Sequence, residues 1–366
     1  MRKIFILGGS TLQLDLILEA KKMFFYTIVI DMDKNCIGSK WCDKFLNIDI
    51  AEKELILEKA KLFNIDLILT SSTELGNLTA CWVGEKLRLN TNLYQTALNT
   101  TNKLLMKKIF NKNNILTAKY KKISSVHDLK EWNIFPCIMK PSDSSAGKGL
   151  SYIVTKEELN KYYFKAMKYS KNSHIIVEEY IEGKQYSVET ISTNKKHQLL
   201  TINREKINNL PNIMERSHTI PANINSTTIN KITDLTIKIL NIFNIKFGAS
   251  HIEFRISDGN IYIIEIASRT GGMRTEMINF AYGVSYSQLL ILSSLNTLST
   301  VNMHLRKKVT CNFIINYKEY KKYKELKTDT KNNIFEPFNI NKVSKKFVAE
   351  NIAESKGYYF IIKEFS

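Results

Sequence analysis

The chain has 366 residues, 44 % of them hydrophobic, and a formal net charge of +18. That length supports two or three structural units around sizeable cores. No apolar run approaches the roughly 20 residues that a membrane span needs. The apolar start (MRKIFIL) is interrupted by Gly8, Gly9, Asp15 and Glu19, too early for a secretion signal. A soluble, cytoplasmic protein without membrane contact is expected. The five cysteines, Cys36, Cys42, Cys81, Cys137 and Cys311, form no C-x-x-C pair, which argues against a zinc knuckle or a redox motif. The lysines are spread along the whole chain, and the densest run, Lys318 to Lys327, is interleaved with glutamates. That pattern points away from nucleic acid and toward small anions such as nucleotides.

In chain order, residues 3–7 form an apolar strand that ends at Gly8-Gly9-Ser10. A helical pattern follows through Leu14, Ile17, Leu18 and Met23, then a strand Thr27–Ile30 that ends at Asp31. A second helix over Glu52–Phe63 leads to the strand Asp66–Thr70. This rhythm of strand and helix predicts a parallel sheet, with ligands at the carboxyl ends of its strands. Asp31 and Ser71-Ser72-Thr73-Glu74 fall at those ends. The GGS turn lacks the third glycine of a dinucleotide fingerprint, so Asp31 is not read as a ribose-binding acid.

After about residue 95 the pattern changes. A helix over Asn102–Asn113 carries Lys103, Lys107 and Lys108. Strands are expected at Cys137–Lys140, Ser151–Val154, Ile175–Ile181, Tyr186–Ser192 and His197–Arg204, with helices at Lys156–Tyr169 and Thr227–Phe243. A hairpin follows over 248–268, then two further helices and a Lys/Asn-rich tail ending in a strand at Tyr358–Lys363.

Three stretches carry chemistry. In the hairpin, Gly248–Ser257 and Ile261–Ser268 flank Asp258-Gly259-Asn260. Strand alternation puts His251, Glu253 and Arg255 on one face, and Ile263, Glu265, Ala267 and Arg269 on one face of the return strand. A three-residue loop centred on Gly259 places Glu253 directly across from Glu265. Opposed carboxylates repel, and a hard cation such as Mg²⁺ between them would relieve the repulsion. The alternative is an exposed face with Arg255 and Arg269 as counter-charges. The second stretch, Cys137–Leu150, is a strand ending in Lys140-Pro141 and then a Ser/Gly-rich loop. Its small residues let backbone N–H groups approach phosphate oxygens, with Lys140 and Lys148 adding charge. The third, His174–Ser192, is a strand, a kink at Glu182-Gly183 and another strand. It reads either as a hinge that recognises an adenine edge or as an ordinary hairpin.

In this order, Lys103, Lys140 with its Ser/Gly loop, V-E-E-Y-I-E-G at 177–183, Glu253 and E-I-A-S-R-T-G-G at 265–272, the motifs resemble the ATP-grasp superfamily. The resemblance is to carboxylate–amine ligases related to the carbamoyl-phosphate synthetase large subunit, biotin carboxylase and purine-synthesis enzymes, and it covers nearly the whole chain. It implies an N-terminal Rossmann-like parallel-sheet domain (1–95), linker helices (96–117), a lid subdomain (118–190) and a C-terminal subdomain with the metal hairpin (191–366). It implies ATP and Mg²⁺, with Mn²⁺ as a substitute, and transfer of phosphate to a small carboxylate that an amine then attacks. Lys103, Lys140, the loop Ser144, Ser145, Ala146, Gly147, Lys148 and Gly149, the hinge Glu178, Glu179, Tyr180 and Ile181, and Gln185 would bind ATP. Glu253 and Glu265 would hold the metal. Arg269, Arg255 and His218 are catalytic candidates; Arg204, Arg216, Arg274 and Glu74 are substrate-binding candidates. Relatives are often dimers, so a homodimer is expected.

The chain departs from that pattern twice. Gln185 stands where many relatives have a glutamate, and Ala267 where many have an asparagine that serves as a further metal ligand. These departures motivate a second reading, a non-catalytic nucleotide-binding protein. A carboxylase of the purine or biotin type is a third.

Overall fold

The computed structural model describes residues 1–208, 210–211, 213–329 and 333–364. The N-terminal part is a parallel sheet of β1 (Lys3–Leu7), β2 (Tyr26–Asp31), β3 (Lys44–Asn47) and β4 (Leu67–Leu69), in the order β3-β2-β1-β4. Helices α1 (Thr11–Lys22), α2 (Lys53–Phe63) and α3 (Glu74–Leu87) connect and follow these strands. The Ser10 hydroxyl caps α1, and the Gln13 side chain reaches back to complete a capping box. At the end of β2, the Asp31 carboxylate accepts from the Gly9 N–H at 2.7 Å and the Asp33 N–H at 2.8 Å. Asp31 therefore braces the GGS turn.

Helices α4 (Tyr94–Asn99) and α5 (Lys103–Lys112) lead into a small antiparallel sheet. It consists of β5 (Tyr120–Ile123), β6 (Cys137–Pro141), β7 (Ser151–Ile153) and β8 (Ile175–Glu179), in the order β5-β8-β6-β7, backed by α6 (Leu159–Met167). The largest sheet is built from β9 (Lys184–Thr193), β10 (Lys196–Ile207), β11 (Glu215–Ile220), β12 (Gly248–Ser257), β13 (Asn260–Ala267), β14 (Lys307–Phe313), β15 (Asn333–Phe335) and β16 (Tyr358–Glu364). Its order is β13-β12-β9-β10-β11-β14-β16-β15. Helix α7 (Ser226–Ile242) packs on one of its faces, and α8 (Arg274–Tyr282), α9 (Tyr286–Ser294) and α10 (Tyr317–Thr328) complete the layers. Among the described residues no helix is long and apolar enough to cross a membrane.

The parallel sheet and the largest sheet share one core. Ile4, Ile6, Leu16, Ile17 and Leu69 pack with Tyr286, Leu289 and Leu290 of α9 and with Ile191 and Ala249 of the largest sheet. That shared apolar core holds the ends of the parallel strands beside the residues of β12 and β13.

The stretch 174–192 is a crossover and not a hairpin. β8 belongs to the small sheet and β9 to the largest one. Gly183 makes the passage. Its φ is +125°, and a Cβ there would lie 2.2 Å from the Ile256 carbonyl oxygen, so only glycine fits. The metal hairpin also differs in detail from the expected one. The turn has two residues, because Ser257 pairs with Asn260. A bulge between Glu253 and Phe254 then restores the Glu253–Glu265 pairing. The same bulge moves Ile263 off the Glu265 face, and both Ile263 and Ile266 are buried in the α7-side core.

One half-buried carboxyl is stabilised in its neutral form. Glu276, in the first turn of α8, is pushed up to about 7, first by burial and further by Asp15. A carboxyl raised above its ordinary value contributes stability below about pH 4.5, and that contribution is lost as pH rises through 7. Glu276→Gln is therefore expected to stabilise the fold at pH 8 by on the order of 1–3 kcal/mol. Thermal melts of both proteins between pH 4 and 8 should show the difference closing below about pH 5.

Candidate active site

A cavity opens where the small sheet, the crossover and the metal hairpin meet. It is lined by Lys103, Lys107, Lys140, the loop 144–148, Glu178 to Ile181, Gln185, Glu253 and Glu265, among others. Lys103 begins α5, whose N-terminus is capped by the Asn102 side chain. Its ammonium donates to the Ser144 carbonyl at 2.9 Å and pairs with Glu265 at 3.2 Å. One lysine thus joins the glycine-rich loop to the metal strand.

Lys140 ends β6 and pairs with Glu178 at 2.7 Å, and Lys107 pairs with the same carboxylate at 3.1 Å. Burial works against the charged carboxylate, but the two cations hold Glu178 down at about 2. Glu178 is 4 % exposed, so it fixes two lysines in the cavity wall rather than presenting itself to a base edge. Lys107 had been read only as part of a helix pattern. Its signal in the sequence was its spacing of four from Lys103, which puts both on one helix face.

The exposed segment Ser145 to Lys148 arches between β6 and β7, with positive φ at Ala146 and Gly147. Gly149 differs from its neighbours. It is buried, and a Cβ there would press on Pro141 at 3.0 Å and Tyr169 at 3.1 Å. Gly149 anchors the loop and lines no part of the cavity.

The hinge residues are held from below by Arg255. Its guanidinium donates to the Ile181 carbonyl at 2.6 Å and to the Gln185 side-chain oxygen at 3.1 and 3.2 Å, and lies 4.6 Å from the centre of the Tyr180 ring. Gln185 in turn donates to Glu205 at 3.0 Å. With its donors committed, Arg255 supports the hinge, which corrects its reading as a catalytic group.

Glu253 and Glu265 face each other in the hairpin register. Burial, then Glu265 and Glu205, push Glu253 up to about 7. Glu265 behaves oppositely. Burial alone would raise it, but Lys103, Lys140 and Arg269 hold it at about 2. A half-buried acid pair, one member pushed toward neutrality, with oxygen donors open to the cavity is an environment a divalent cation would satisfy, so these residues fit Mg²⁺. Ala267 offers no ligand. Directly across from it stands His251, whose Nε2 lies 3.2 Å from Glu253 and whose Nδ1 lies 2.5 Å from Glu189. Against the cost of burial, Glu189 and Glu253 raise His251 to about 10, so it is a fixed cation beside the pair. Glu205, His251 and Glu253 also place their ligand atoms within 4.8 Å of one another.

Arg269 pairs with Glu74 through Nε at 3.0 Å and Nη2 at 2.6 Å. Both N–H groups donate to the same Glu74 oxygen, and this forked bridge joins the start of α3 to the end of β13. The other basic candidates are placed differently. Arg274 is 1 % exposed and bonds to Glu205 at 2.7 Å, to the Gly272 carbonyl at 3.1 Å and to His218. It is a buried cross-link, with no face left for a substrate. His218 accepts from Arg274 at Nδ1, so its proton is on Nε2, which donates to Glu215 at 2.8 Å. No lone pair remains for it to act as a base. Arg204 and Arg216 line a second cavity, described below.

Comparisons with known proteins bear on this geometry. Residues 133–277 match the model of the ATP-grasp domain. Residues 133–277 therefore carry an ATP-grasp domain. It is 28 % identical over 280 residues, 73 % of this chain and 70 % of the relative, to a formate-dependent phosphoribosylglycinamide formyltransferase of Prochlorococcus marinus subsp. pastoris. The L-amino acid ligase of Bacillus licheniformis shares the fold with a TM-score of 0.81 at 17 % identity, covering 100 % of this chain and 94 % of that one. The N5-carboxyaminoimidazole synthetase of Staphylococcus aureus, solved with ADP, gives 0.80 at 17 % identity over 99 % and 93 % of the two chains.

Removing one cation from the Glu178 site tests the electrostatics of this cavity wall. Lys107→Met leaves Glu178 with Lys140 alone and should cost on the order of 3 kcal/mol. Urea denaturation at pH 7 should show a lower midpoint with an unchanged slope.

Proposed function

We propose that this ligase transfers the γ-phosphoryl group of ATP to a small carboxylate and couples the resulting acyl phosphate to an amine. The observation that carries the reading is one cavity wall holding Lys103, Lys140, the loop 144–148, the hinge 178–181 and the opposed Glu253 and Glu265. Phosphoryl transfer needs positioning and charge neutralisation far more than covalent help from the protein.

In this reading the hinge borders the adenine, and Lys103 and Lys140 hold phosphate oxygens. The loop 144–148 covers the phosphates and keeps out water that would hydrolyse an acyl phosphate. Glu253 and Glu265 hold Mg²⁺, which when bound neutralises phosphate charge. Arg269 releases part of its hold on Glu74 to stabilise the acyl phosphate. A carboxylate oxygen attacks the γ-phosphorus and the bond to ADP breaks. The amine nitrogen then attacks the acyl carbon, the carbon–oxygen bond to phosphate breaks, and the departing phosphate takes the amine proton. Glu205, Glu189 and Arg274 act as positioning residues beneath the site.

The kinship with a formate-dependent formyltransferase favours a narrower second reading, in which formate is the carboxylate. A screen of carboxylates, formate included, against amines separates the readings. ADP and phosphate should form only when both substrates are present. Glu265→Ala should abolish magnesium-dependent turnover, and Arg269→Ala should lower kcat by roughly 10²–10³-fold. Activity surviving in the Glu265 variant would show that the metal assignment is wrong. Tight ATP binding without turnover on any pair would instead favour a nucleotide sensor.

A further inference from the structure

The largest sheet has a second cavity on the face turned away from Glu253. Register and alternation establish the geometry. Glu205 pairs with His218 across β10 and β11, and both reach toward Arg274. Their neighbours Arg204, Lys206, Ser217 and Thr219 therefore point the other way. Thr310 and Asn312 of β14 pair with Thr219 and Ser217 and share that face. Helix α10 walls the groove with Glu319 and Lys322, and Lys308 closes one end. The resulting cavity is about 720 Å³, against about 180 Å³ for the nucleotide cavity.

Its charge is one-sided. The two carboxylates in its lining are committed elsewhere, Glu205 to Arg274 at 2.7 Å and Glu319 to Arg216. Lys206, Lys308 and Lys322 are exposed and have no ion-pair partner among the described residues. Arg204 donates only to the carbonyl oxygens of Gln185 and Glu205, at 2.5 and 2.9 Å, and lies 5.0 Å from the centre of the Tyr186 ring. The floor is polar. Thr219 and Thr310 hydroxyls meet at 3.1 Å. Ser217 is 8 % exposed and lines the cavity, so its hydroxyl offers a ligand one donor and one acceptor.

We propose that this groove binds a small phosphorylated, hydroxyl-bearing metabolite of the sugar-phosphate class. The phosphate would sit among Lys206, Lys308 and Lys322, which act as point charges. The sugar hydroxyls would bond Ser217, Thr219 and Asn312. The site is separate from the nucleotide cavity and meets it only at Gln185 and Ile207. A bound ligand would touch strand β10, whose Glu205 faces the active site, and so has a direct route to it.

The test is calorimetric titration of the full chain with ribose 5-phosphate while saturating ADP fills the nucleotide cavity. Saturable binding is expected, weakening as salt rises. In the double variant Lys308→Glu/Lys322→Glu the affinity should fall by roughly tenfold or more, with ADP affinity changed less than about twofold. Both lysines are exposed, and circular dichroism confirms the fold. Ser217→Ala should weaken ribose 5-phosphate more than inorganic phosphate. No saturable binding, competition with ADP, or equal affinity in the double variant overturns the proposal.

Discussion

Two carboxylates, Glu253 and Glu265, are placed opposite each other on adjacent hydrogen-bonded strands inside the protein. Such an arrangement is unfavourable unless positive charge surrounds it. Much of the surrounding structure can be understood as the supply of that charge. Lys103 comes from α5, His251 from the same strand as Glu253, and Arg269 from just beyond the metal strand. Two of these cations have a second anion of their own, Glu189 for His251 and Glu74 for Arg269. The network therefore ties α3, α5, β9, β12 and β13 together around one pair of oxygens.

The asymmetry within the pair has chemical consequences. Glu265 is held ionised by three cations, while Glu253 is pushed toward neutrality. A divalent cation arriving with nucleotide phosphates would complete the ionisation of Glu253 and release its proton. Binding and proton release are then linked. Beneath the pair, the buried Arg274, Glu205 and His218 and the half-buried Glu215 form a linked array of ion pairs and hydrogen bonds. Such a cross-linked array restrains its members and supports the layer above it.

Much of this was legible in the residues. The parallel N-terminal sheet followed from its strand–helix rhythm, and the Glu253–Glu265 opposition followed from alternation along the hairpin. The pairing was reached by a three-residue loop, whereas the chain uses a two-residue turn and a bulge. Both count to the same register, but only the bulge explains why Ile263 and Ile266 share a core. Strands β3, β5 and β11 carry too many charged or polar residues to show a period of two, because they are short, lie at edges or have polar residues on both faces. Alternation put Arg255 on the face of Glu253, but the partners of the arginines were not legible. A motif shows that Arg255, Arg274 and Arg204 lie near the site, but which groups each guanidinium meets depends on registers between strands distant in sequence. His218 is the same case, since its loss of a free lone pair depends on Arg274 arriving from another element.

The central claim is that the carboxylate becomes an acyl phosphate before the amine attacks. Carrying out the reaction with a carboxylate labelled in both oxygens with ¹⁸O, and analysing the released phosphate by mass spectrometry, addresses it directly. The account predicts one ¹⁸O atom in each phosphate formed, because the carboxylate oxygen bonded to phosphorus leaves with it. Phosphate released without label would mean that water, not the carboxylate, takes the phosphoryl group, and would contradict the account.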